Sequence, residues 1–161
     1  MGAVAKMSAG ILLYRRSGPD VTEVLIGHMG GPFFARRDAG GWSIPKGEYT
    51  TEETPLAAAF REFTEELGLA PPAGEVTPLG TAKASGGKVV TMFALEGDLD
   101  LSAMVPGTFE MEWPRGSGKI AAFPEIDRAM WASPPVAREK LVASQTVFVD
   151  RLLDYLAEGA G

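Results

Sequence analysis

The stretch Gly47-Glu48-Tyr49-Thr50-Thr51-Glu52-Glu53-Thr54-Pro55-Leu56-Ala57-Ala58-Ala59-Phe60-Arg61-Glu62-Phe63-Thr64-Glu65-Glu66-Leu67-Gly68-Leu69 decides how this chain is read. Its centre carries the punctuation of a helix. The Thr54 hydroxyl can accept from a free N–H of the first turn, Pro55 suits the first helical position, and Gly68 suits a left-handed stop. Leu56, Ala59, Phe60, Phe63 and Leu67 recur at helical spacing, which predicts an apolar face. The run Ala57-Ala58-Ala59 favours helix locally. On a wheel turning about 100° per residue, Glu62, Glu65 and Glu66 fall on the other side, and their i, i+3, i+4 spacing makes them surface neighbours.

Like charges at that spacing cost a helix a few tenths of a kcal/mol per pair. Arg61 can reach Glu65 at i+4, but one base cannot neutralise three carboxylates. A hard divalent cation can. Mg²⁺ and Mn²⁺ favour carboxylate oxygens and water, and Mg²⁺ commonly shares its shell with substrate phosphates. The cluster therefore predicts a metal–phosphate site, against the alternative of a solvated acidic face. Two neighbours support the site. Glu53 precedes the helix, and Lys46-Gly47 precede that, where a glycine beside a lysine lets backbone and cation approach an anion.

Gly47, five residues, Glu53, seven residues, then Arg61-Glu62-Phe63-Thr64-Glu65-Glu66-Leu67-Gly68-Leu69 resembles the Nudix box, with every fixed position filled and Phe63 and Leu69 in the bulky apolar places. Trp42-Ser43-Ile44-Pro45-Lys46 resembles the usual lead-in. The resemblance implies a Nudix fold, a mixed and mostly antiparallel sheet flanked by helices in an α/β/α sandwich. It implies that Glu62, Glu65 and Glu66 bind Mg²⁺ or Mn²⁺, with the backbone carbonyl of Lys46 completing the shell. It further implies that Arg61 orients the carboxylates, that Glu53 pairs with Arg61, and that Gly47 and Gly68 shape the loops around the helix. The implied reaction is attack of water on one phosphorus of a diphosphate linkage in a nucleoside diphosphate joined to another group. A nucleoside triphosphate or dinucleoside polyphosphate is favoured. The base that takes the water's proton differs among members; here it is Glu65 or a carboxylate from a later loop. Glu125, six positions before Trp131, resembles a metal-facing residue of the dinucleoside-polyphosphate branch. Glu110 and Glu112 are further candidates, and their alternation also suits one solvent face of a strand. Thr81 to Leu95 hold neither the Tyr nor the Pro that marks two substrate branches of the family.

Outward from the box, Ala9 to Arg16 and Thr22 to His28 read as strands about the turn Ser17-Gly18-Pro19-Asp20. Met29 to Gly41 reads as a loop, and Trp42 to Pro45 as a short edge strand ended by Pro45. Val76 to Ala82, Val89 to Leu95, Thr108 to Trp113 and Lys119 to Phe123 read as further strands. Gly116-Ser117-Gly118-Lys119 reads as a turn, since it lacks P-loop spacing. A short helix opens at Ser133-Pro134-Pro135, and a terminal one covers Thr146 to Leu156. The pattern is α+β, a single domain over residues 1–161. Arg36, Arg37 and Lys46 can clamp substrate phosphates, and Trp42, Phe33, Phe34 and Trp113 can stack a nucleobase or pack internally. His28 reads as a surface or hydrogen-bonded histidine rather than a catalytic one.

Composition narrows the chemistry. The 161 residues include 21 acids, 15 bases, one histidine and no cysteine. Disulfides, thiolate metal sites and cysteine nucleophiles are excluded, and a His-rich zinc site with them. The net charge of −6 opposes binding of bulk nucleic acid or an anionic membrane. Most of that charge is local, because Glu48 to Glu66 alone carry −5. The first six residues carry no myristoylation motif, no apolar run is long enough to span a bilayer, and a cytoplasmic monomer or homodimer is expected. The rival reading is a catalytically silent Nudix-fold module that senses a nucleotide; a weaker one is an acidic-faced interaction domain without metal.

Overall fold

The computed structural model describes residues 6–159, so the sequence reading of residues 1–5 lies outside the described residues. Strand β1 (Met7–Gly18) is the centre of the molecule. Seven consecutive residues of it, Ser8 to Tyr14, are buried, which a strand achieves only when both sheet faces are covered. Ala9, Ile11 and Leu13 point into one apolar cluster, and Leu12 and Tyr14 into the other.

Along one edge, β1 pairs in parallel with β6 (Val89–Glu96), which pairs antiparallel with β5 (Val76–Lys83). The other edge is shared. Tyr14 to Gly18 pair with β2 (Val21–Met29), while Met7 to Gly10 pair with β4 (Lys46–Tyr49). Between these pairings β1 and β2 part. The chain fills the fork, with β3 (Trp42–Ser43) on β2 and β4 on β1. Pro45 sits at the crotch, where its carbonyl accepts from Ile11 N–H at 3.2 Å. Trp42-Ser43 pair with one strand, β2, and stand at an end of the strand order, as the short edge strand expected from the sequence. The outer edge of β2 carries β9 (Ile126–Ala132). Neither β4 nor β9 is evident from local sequence. The strands β7 (Thr108–Glu112) and β8 (Ile120–Pro124) form a separate hairpin around the expected turn.

Helix α1 (Pro55–Leu67) covers one face, burying Ala58, Ala59, Phe63 and Leu67 against Ala9, Ile11, Leu13 and Leu25. Helices α2 (Pro134–Lys140) and α3 (Thr146–Gly159) cover the other with Ala137, Phe148, Val149 and Leu152. The result is the α/β/α sandwich with a mixed, mostly antiparallel sheet. The caps of α1 are those expected: Thr54 Oγ1 accepts from Ala57 N–H at 3.2 Å, and Gly68 adopts φ 67°. The apolar face differs in one respect. Leu56 is exposed and Ala58 buried, because the whole first turn, Pro55 to Ala57, overhangs the sheet.

Candidate functional site

The last two turns of α1 face a cleft of about 300 Å³ lined by Glu62, Glu65, Glu66, Gly107, Thr108 and Glu125. Four of the sequence-predicted carboxylates thus share one cleft although Glu125 lies far away in sequence. A backbone relay places it there. Gly107 N–H donates to Glu65 O (3.0 Å), Glu125 N–H to Gly107 O (2.8 Å), and Gly30 N–H to Glu125 O (3.1 Å). The chain before β7 is also pinned to the helix end by Val105 N–H on Leu67 O at 2.9 Å. These bonds satisfy free carbonyls of the final turn and aim the bend at Glu125 towards Glu66.

Arg61 is the internal counter-charge. Its guanidinium bonds Glu53 at 2.7 and 2.9 Å, Glu62 at 2.8 Å and Glu65 at 3.2 and 3.3 Å. The bidentate pair with Glu53 fixes its plane. That pair holds the Glu53 carboxyl below its ordinary range and raises the guanidinium further above its own. Glu62 is raised instead, by burial that outweighs Arg61. Glu66 is pushed up to about 8, first by burial, then by Glu125, against the relief given by Lys46. Lys46 donates its backbone N–H to Glu66 Oε2 at 3.3 Å, and burial lowers its ammonium pKa. Gly47 is required here by space: a Cβ on it would collide with the Glu62 carboxylate.

The donor set suits a hard divalent cation, because it is all carboxylate oxygen and holds excess negative charge in a half-buried cleft. Among the described residues no three His, Asp or Glu side chains already converge as a ligand set. Glu62 and Glu65 are instead turned to Arg61.

Other predicted residues lie apart. Trp42 does not stack a base: it is 4% exposed, donates Nε1–H to Asp38 Oδ1 at 3.0 Å, and meets the His28 ring edge-on at 5.2 Å. Arg36 and Arg37 are exposed on the loop after β2 and do not line the cleft. Glu110 and Glu112 take the exposed positions of β7, and Glu112 accepts from Gly116 N–H. His28 is fully buried rather than at the surface. Its Nδ1 lies 2.8 Å from Asp127 Oδ1 and its Nε2 2.7 Å from the Arg37 carbonyl. It ties the arginine loop to β9, a role that its position in the sequence does not signal. A larger depression of about 470 Å³ is lined by Arg15 and Arg16, but each of these already pairs with acids. Among the described residues, no helix is long and apolar enough to cross a membrane.

Known proteins agree with this geometry. An RNA pyrophosphohydrolase of Stenotrophomonas maltophilia (strain K279a) is 46% identical over 59 residues, covering 36% of this chain and 29% of that protein. One from Xanthomonas campestris pv. campestris (strain B100) is 46% identical over 54 residues, covering 33% and 26%. The chain thus matches less than a third of the length of these curated relatives. A structure of a C. elegans Ap4A hydrolase binary complex superposes with TM-score 0.63 at 19% identity, over 94% of this chain and 98% of that one. The NUDIX domain of Shewanella oneidensis NrtR, complexed with ADP ribose, superposes with TM-score 0.63 at 14% identity, over 96% and 90%. A family model described as NUDIX domain matches residues 5–152, so the box, the sheet around it and the helices of both faces identify the chain as a member of the Nudix family.

Proposed function

We propose that this chain hydrolyses a phosphoric anhydride bond in a nucleoside diphosphate linked to another group, using Mg²⁺ or Mn²⁺. The observation that carries this reading is the meeting of Glu62, Glu65, Glu66 and Glu125 around one cleft. A nucleoside triphosphate or a dinucleoside polyphosphate is the favoured substrate. The names of similar proteins add the 5′ end of RNA and ADP ribose as compounds to assay.

Glu62, Glu65 and Glu66 would hold the cations, with Glu125 and the Lys46 carbonyl as further ligands. Bound divalent ions neutralise phosphoryl oxygens and lower the pKa of water. Glu65 is the most exposed of the three box carboxylates and is suited to take the proton of the attacking water. The new oxygen–phosphorus bond forms as the bridging P–O bond breaks, and the leaving phosphate departs. Arg61 keeps Glu62 and Glu65 in register, and Glu53 keeps Arg61 in place. Both are positioning residues. The Lys46 ammonium would screen the polyphosphate tail, and Arg36 and Arg37, exposed on the loop after β2, are further candidates for that role although they lie outside the cleft lining.

The test is a phosphate-release and mass-spectrometry screen over nucleoside triphosphates, dinucleoside polyphosphates, ADP ribose, nucleotide sugars and 5′-triphosphorylated RNA, with and without Mg²⁺. Glu65→Gln is expected to lower turnover by orders of magnitude while the protein stays folded. Full activity in that variant would reject the role given to Glu65 and the metal assignment, and binding of nucleotide without turnover in the wild type would reject the hydrolytic reading.

A further inference from the structure

We propose that Phe33 and Trp113 form a platform on which the base of the nucleotide stacks while its phosphates occupy the carboxylate cleft. This rests on the reading of the cleft given above and adds the residues that recognise the rest of the substrate. Phe33 comes from the loop after β2, and Trp113 from the end of β7. Their rings meet edge to face, with centroids 5.9 Å apart and planes at 75°. Phe33 is 55% and Trp113 37% exposed. Two of the seven large apolar side chains exposed among the described residues are therefore in contact with each other. An edge-to-face pair that closed a core would be covered; this one stays partly open to solvent.

The surroundings select the ligand class. The Arg115 guanidinium stands 5.6 Å from the Phe33 centroid, and that of Arg37 stands 5.7 Å from Phe34. Aromatic faces beside guanidinium groups suit a flat, electron-rich ring that carries an anionic tail. The platform is also tied to the cleft along both of its segments. Phe33 is three residues past Gly30, so its Cα lies within about 11 Å of the Gly30 Cα, and Gly30 N–H bonds the Glu125 carbonyl. Thr108 lines the cleft at the start of β7, and Trp113 directly follows that strand, five residues on, at most about 17 Å of extended chain. The loop rests on β7 at Gly31, where φ is +94° and a Cβ would press on the Phe109 ring. Both segments that carry the platform thus run directly into the lining of the cleft.

Trp113→Leu and Phe33→Leu test this, since both side chains are exposed and their loss leaves the core intact. Binding of ATP, diadenosine tetraphosphate and inorganic tripolyphosphate is measured by calorimetry with Ca²⁺, alongside steady-state hydrolysis with Mg²⁺ and size-exclusion chromatography. Stacking is worth about 1–3 kcal/mol per base, so each variant is expected to weaken the two nucleotides about tenfold or more. The expected change is in Kd and KM with kcat retained, and tripolyphosphate is unaffected. Equal losses for all three ligands, no loss for the nucleotides, or no nucleotide binding by the wild type would overturn the platform. Dissociation of a wild-type dimer by Trp113→Leu, with nucleotide affinity unchanged, would assign the patch to a second copy and also overturn it. If no substrate is turned over but Trp113→Leu still weakens ATP selectively, the platform stands and the hydrolytic reading falls. If hydrolysis proceeds with an unaltered KM in both variants, the platform falls alone.

Discussion

Glu66 offers a quantitative probe of the cleft that does not depend on catalysis. Its carboxyl is pushed up to about 8 by burial and by Glu125, from 4.5 when unperturbed. Between those values the folded chain keeps a proton that the unfolded chain has released. The folded state therefore binds more protons, and stability falls as pH rises from about 4.5 to about 8, then levels. At about 1.4 kcal/mol per pH unit the loss is at most about 5 kcal/mol. Glu66 is only half-buried, and water at the cleft rim reduces the loss to about 2–3 kcal/mol. Glu66→Gln keeps an oxygen for the Lys46 N–H and removes the titration. Urea unfolding in EDTA at pH 5 to 9 is expected to give two curves that agree near pH 5. They separate above it, with Glu66→Gln the more stable by about 2–3 kcal/mol at pH 9, or about 5–10 °C in Tm. Mg²⁺ should close that gap by raising the wild type alone. Parallel pH dependences in the two proteins would refute the claim that this carboxylate is held against its own charge.

Three further predictions follow from packing and hydrogen bonding. Phe63, fully buried where α1 meets β1, should cost about 3–5 kcal/mol on Phe63→Ala, read by urea denaturation. Gly47→Ala forces a methyl against the Glu62 carboxylate, so hydrolysis and the Mg²⁺-induced rise in Tm should both diminish, while circular dichroism keeps the wild-type spectrum. His28→Ala strips the partners from Asp127 and the Arg37 carbonyl, which should cost about 2–4 kcal/mol, and hydrogen exchange should quicken selectively across residues 29–41.

What the sequence revealed follows the range of the interactions concerned. Helix α1 was legible because its cap, its proline, its glycine stop and its acidic face all act within a few residues. The strands that alternate or run apolar near β1 were legible for the same reason. Strand β4 was hidden because Lys46-Gly47-Glu48-Tyr49 has no strand propensity of its own; it is a strand only because the fork between β1 and β2 offers it a partner at Gly10. Strand β9 was hidden because its register with β2 is set across a hundred residues. The meeting of Glu125 with α1 was anticipated from family resemblance, but its physical cause is the relay through Gly107, which leaves no local trace. Trp42 stayed open between stacking and packing because its type suits both; its pairing with His28 in the fork decides for burial.

The same geometry explains why one arginine sits among so many acids. Glu62 and Glu65 share Arg61, and Arg61 is shared in turn with Glu53. A site built only for stability would add a second base near Glu66, yet the nearest ammonium, Lys46, is itself disfavoured by burial. The helix therefore carries a charge imbalance that its own side chains do not relieve, and the excess lies on the residues that face the cleft rather than on those facing solvent. Glu53 can satisfy Arg61 at all times, so a cation arriving between Glu62, Glu65 and Glu66 competes with Arg61 for two carboxylates without leaving the guanidinium unpaired. On that account Glu53 would make the exchange reversible, because its bidentate pair would retain Arg61 in place if Glu62 and Glu65 turned to a cation.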